Sequence, residues 1–201
     1  MTMKWNIMNI KRAICALSLV ASSATAYTDT QRLNTVTEDV NHACFVMNLF
    51  DQTLFGKWQP RRLIEKELNY AESYKFLEKN LHEIKKNIAT IEAEIKTQNR
   101  KPNQAVVKAL DIMNKIYNML TDVHSVLAHN ENHKPEYLDF CKTFNSTFNK
   151  LFSAKFARTV EKQLSELHAL LIKEGAGEAA SEIDYTIQYV REMITRNLLI
   201  G

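Results

Sequence analysis

The chain has 201 residues, with 26 lysines and arginines against 23 aspartates and glutamates, three cysteines, four glycines and three prolines. So few turn-forming residues, and no stretch that alternates apolar and polar residues between turn signals, exclude a β protein and predict an all-α fold. The surplus of positive charge lies entirely within the first 26 residues, so the remainder carries 23 residues of each sign. That balance gives no support for nucleic-acid binding or for attraction to an anionic membrane.

Residues 1–26 read as a signal peptide. Lys4, Lys11 and Arg12 precede the apolar run Ala13 to Ala21, and Ala24-Thr25-Ala26 supplies an A-x-A cleavage triplet. The run is far shorter than the ~20 residues a membrane span needs, and no later segment is long and apolar enough to serve. The expectation is a secreted protein, extracellular or periplasmic if bacterial. Residues 27–201 then form a single helical domain, long enough to bury a substantial core.

The breakers cut that domain into five helices, because proline belongs in a first turn and glycine just past a last one. The first helix, about 30–55, places Leu33, Val36, Val40, Cys44, Met47 and Phe50 or Leu54 on one face. Gly56 and Pro60 end it, and Phe55 and Trp58 beside Arg61 and Arg62 make an aromatic, basic tip that is a candidate partner contact. The second helix, about 61–98, is the organising element: Tyr70, Tyr74, Leu77, Leu81, Ile84, Ile88, Ile91 and Ile95 recur at steps of three and four. Such a seam marks a long helix burying one stripe against its neighbours.

After Pro102 the third helix, about 103–128, carries Val106, Leu110, Met113, Ile116 or Tyr117, Leu120, Val123 and Leu127. Pro135 opens a fourth, about 135–174, with Leu138, Cys141, Phe144, Phe148, Phe152, Val160, Leu164, Leu167 and Leu171. Gly175 and Gly177 separate it from a fifth, about 178–199, with Ile183, Ile187, Val190, Ile194 and Leu198.

Short connections make consecutive helices antiparallel, giving an up-and-down bundle. At ~1.5 Å per residue the second, third and fourth helices are long, while the first and fifth fit end to end in the fourth lane. This arrangement predicts Leu198 and Leu199 near Leu33 and Val36. The same ruler brings Cys44 and Cys141 to within ~5 Å of one height. They are the two cysteines beyond residue 26, and an exported chain meets oxidising conditions, so a Cys44 to Cys141 disulfide is expected, with two buried free thiols as the alternative.

Catalytic signatures are missing: no Gly-x-Ser-x-Gly, no phosphate-cradling loop, no His-Glu-x-x-His, and none of the Glu-x-x-His pairs of di-iron bundles. The expectation is no enzymatic activity and no cofactor. His129 and His133, four apart near Glu131, are weak metal candidates, better explained as a solvated last turn facing the helix dipole. His124 and His168 read as boundary residues of the core. Phe140, Phe144, Phe148, Phe152 and Phe156 form a stripe that drifts by ~40° per step. Phe144, Phe148 and Phe152 read as core, or else as the lining of an apolar ligand cleft or partner groove. Asn145-Ser146-Thr147 matches the glycosylation pattern.

The leading reading is an exported, non-enzymatic helical bundle that binds a macromolecular partner, in all expectation a protein. The runner-up is a carrier of an apolar small molecule in the bundle interior. A haem- or metal-binding bundle comes third, since it needs converging ligands.

Overall fold

The structure is a computed structural model that describes residues 29–48, 70–97, 101–133 and 154–200. They form five helices: α1 (29–48), α2 (Tyr70–Thr97), α3 (Gln104–His133), α4 (Ala154–Lys173) and α5 (Gly177–Ile200), with no strand among the described residues. The all-α class read from composition holds. None of these helices is long and apolar enough to cross a membrane.

Local chemistry sets the helix ends. Asn103 accepts the amide of Ala105 through its side chain at 2.8 Å, capping the first turn of α3 just after Pro102. At the end of α4, Gly175 takes a positive φ of 73°. Its amide reaches Ile172 O at 3.1 Å, and the amide of Ala176 reaches Leu171 O at 2.9 Å. This pair of bonds is a Schellman motif, and buried Ala176 over buried Leu171 supplies its apolar contact. The helix α3 runs to His133, five residues past the expected end. Asn130, Glu131 and Asn132 weaken a helix without breaking it, and the residue before Pro135 is the first position with a steric reason to stop.

Where the structure describes them, the expected seams are buried. Leu33, Val36, Val40, Cys44 and Met47 of α1, Leu77, Leu81, Ile84, Ile88 and Ile91 of α2, and Val106, Met113, Ile116, Leu120 and Val123 of α3 all lie in the core. Val160, Leu164, Leu167 and Leu171 of α4 join Ile183, Ile187, Val190 and Ile194 of α5 in the same cluster. Leu110, Tyr117 and Ile95 pack at its margin.

Polar contacts fix how the helices stand. Arg32 meets Glu94 at 3.2 Å, Asn87 donates to Asp39 at 2.6 Å and His42 lies 3.8 Å from Glu83, so α1 is antiparallel to α2. The α2 and α3 helices pack together. Lys108 to Glu166 (2.6 Å) and Gln163 to Asp111 (2.7 Å) make α3 antiparallel to α4, and Arg191 to Glu161 (2.7 Å) joins α4 to α5. The circuit then closes on α1. Asn34 donates to Glu178 and Asn41 to Glu182, each at 3.3 Å, while Thr186 donates to Asn41 at 2.6 Å.

Those last bonds overturn the shared fourth lane. The α1 and α5 helices lie side by side and parallel, starting at the same end of the bundle. From Glu178 the α5 helix runs a further ~30 Å to Leu198, so Leu198 and Leu199 stand at the opposite end from Leu33 and Val36. The physical reason is azimuth. A rise per residue measures height along an axis and says nothing about which sides of a helix are covered. In α1, Leu33, Thr37, Ala43 and Val46 are all buried, and at 100° per residue the buried set spans about half the circumference. A helix covered that widely needs neighbours on both flanks, and α2 and α5 are those neighbours.

Candidate functional site

Two helical ridges meet along the α1 to α5 seam. On α1, Glu38, Asn41, Phe45 and Asn48 follow one another at steps of three and four. On α5, Glu178, Glu182, Tyr185 and Tyr189 do the same. Phe45 is 58 % exposed, Tyr185 70 % and Tyr189 55 %, although each flanks a buried position. Between them lies a groove of about 370 Å³ lined by these three rings with Asn41, Glu182 and Thr186.

Asn41 holds the groove together. It accepts the Thr186 hydroxyl and donates to a Glu182 carboxylate oxygen, so one amide ties two successive turns of α5 to α1. Asn34 repeats the contact at Glu178 one turn before. Both glutamates are exposed, and their hydrogen bonds come from neutral amides, which leaves their charge in place. Cys44 lies at the floor of the groove as a buried free thiol. Burial pushes it up to about 12, so at neutral pH it is protonated and a poor nucleophile.

Most of the site expected from sequence is not described. Trp58, Cys141, Phe144, Asn145, Phe148 and Phe152 lie outside the described residues, as do residues 1–26 and the side chains of His129 and His133. Of the phenylalanine stripe, Phe156 is described, and it packs half-buried at the core margin. His124 and His168 are likewise half-buried. Among the described residues no three His, Cys, Asp or Glu side chains come together to hold a metal ion.

Sequence reasoning passed over Phe45, Tyr185 and Tyr189. A signal for them existed. Each is a large aromatic residue one or two positions off its helix's seam, where the periodicity places solvent-facing polar side chains. Off-seam aromatics on single helices do not announce that they will meet, since that depends on which helices become neighbours.

No protein-family model matches the chain, and no curated protein or solved structure matches it either.

Proposed function

We propose that this protein is an exported, non-enzymatic helical bundle that binds a protein partner through the α1 to α5 groove. One observation carries the reading: three large exposed aromatic rings, drawn from two helices at opposite ends of the sequence, gather around a single groove. Isolated exposed apolar residues are ordinary on a protein surface, whereas clustered ones mark contact sites. Tyrosine is among the residues that anchor protein interfaces, because a ring offers large contact area at little conformational cost.

Export rests on residues 1–26, and oxidising conditions would then join Cys44, a free thiol in this structure, to Cys141. Sequencing of the chain recovered outside the cytoplasm should begin at Tyr27, and peptide mapping without reductant should find the two cysteines linked. A chain retained in the cytoplasm with Met1 intact would overturn export.

The binding reading is tested by capture from the native source with the full-length chain, quantified by mass spectrometry. A Phe45→Ser, Tyr185→Ser, Tyr189→Ser variant should lose proteins that the unaltered chain retains. A control variant, Val107→Ser with Ile172→Ser, changes exposed apolar residues away from the groove and should retain them. Identical profiles for all three proteins, each folded by circular dichroism, would sink the groove as a binding surface.

A further inference from the structure

The α1 and α5 helices carry seven carboxylates in Asp29, Glu38, Asp39, Glu178, Glu182, Asp184 and Glu192 against three arginines, Arg32, Arg191 and Arg196. These two helices therefore carry an excess of four acidic side chains, offset elsewhere because residues 27–201 balance overall; one of the carboxylates, Asp39, is turned to Asn87 of α2. Two of those arginines are turned away from the groove: Arg32 pairs with Glu94 of α2, and Arg191 with Glu161 of α4. Among the described residues no lysine or arginine lines the groove. Glu182 lines it, Glu178 stands one turn before on α5, and they receive hydrogen bonds from Asn41 and Asn34 and, among the described residues, no ion pair; His42, which also lines the groove, lies 3.8 Å from Glu83 of α2. The rings of Phe45, Tyr185 and Tyr189 stand exposed in the same groove as Glu182.

Aromatic faces next to unneutralised carboxylates make a surface that favours cations twice, through the ring quadrupole and through charge. A neutral apolar segment would gain only the rings, and an acidic one would be repelled. We propose that the groove selects a cationic polypeptide segment, whose arginine or lysine side chains stack on Tyr185 and Tyr189 and pair with Glu178 and Glu182. The proposal rests on the groove being the binding surface and adds the chemistry of what it binds. A guanidinium suits the site best, because it stacks flat on a ring while its edge donates to a carboxylate.

The test uses three fluorescein-labelled peptides of equal length and leucine content, in which the same positions are arginine, glutamine or glutamate. Anisotropy titrations against the full-length chain at about 50 mM and about 300 mM salt bracket the Debye length of ~10 Å found near 0.1 M. The arginine peptide should bind at least about ten-fold tighter than the glutamine peptide at low salt, with most of that margin lost at high salt. Glu178→Gln with Glu182→Gln, which keeps the amide hydrogen-bond acceptors, should remove the margin. Tyr185→Leu, which keeps apolar bulk, should reduce it several-fold.

Equal affinity for all three peptides, or no binding of the arginine peptide, overturns the charge selectivity. So does a margin that survives the double glutamine variant. If the peptides bind equally and all are lost in the triple serine variant, the groove reading stands without its selectivity. Binding that persists in the triple variant overturns both.

Discussion

Asp39 shows how a single residue's surroundings set its contribution. It sits half-buried on α1, where burial raises its carboxyl above the ordinary aspartate value of 3.8; Glu38, Glu83 and Glu94 add to the shift and His42 opposes it. The folded state therefore holds this proton more tightly than the unfolded chain does. The resulting penalty is absent below the ordinary value, grows as pH rises through the raised one, and is constant above it. Asp39→Asn keeps an oxygen to accept from Asn87 and removes the charge. Its melting temperature should exceed that of the unaltered protein at pH 7, and the two should converge near pH 3; a variant less stable at pH 7 would refute the assignment. Glu166 runs the other way. The Lys108 hydrogen bond holds it below the ordinary value, so its small contribution is present at neutral pH and lost in acid. Neither shift could be read from sequence, because the burial of Asp39 and the Lys108 partner of Glu166 come from packing against other helices.

Helices, in contrast, announced themselves. Among the described residues the seams of α2, α3, α4 and α5 are buried or packed at the core margin where expected, because amphipathic periodicity acts within one helix and needs no knowledge of the partner. Helix ends were legible where a local motif marks them, as at Asn103 and Gly175. The end of α3 lies past residue 128 because Asn130 and Asn132 are weak helix formers and not breakers. Gly175 supports a prediction on this scale. A Cβ there would meet nothing within 4 Å, so the cost of Gly175→Ala is that of the left-handed backbone alone. It should be about 1 kcal/mol by urea unfolding, and less for Gly175→Asn, which tolerates that conformation. Equal stability of all three would show that the turn relaxes to another geometry.

For the bundle as a whole, the deciding contact is the parallel pairing of α1 with α5. Asn41 bridges it with a buried partner in Thr186, so Asn41→Ala removes two interhelical hydrogen bonds at once. Thr186 retains only a long 3.4 Å bond to Glu182 O. A loss of about 1 to 3 kcal/mol is expected on denaturant unfolding, the cost of leaving a buried polar group poorly satisfied. Val107→Ser, on the exposed face of α3, should cost far less. Comparable losses in the two variants would mean that the α1 to α5 contact does not close the bundle.

Hydrophobic spacing and the few glycines and prolines determined the fold class and the face each described helix buries, since those depend on residues a few positions apart. Which helix stands beside which was decided only in three dimensions. A rod's length fixes its height in a bundle but not its neighbours, and those are chosen by how much of its circumference is apolar and by amides such as Asn41 finding partners 145 positions away. The groove belongs to that second kind of information. Its rings come from α1 and α5, and only the closure of the circuit puts them side by side.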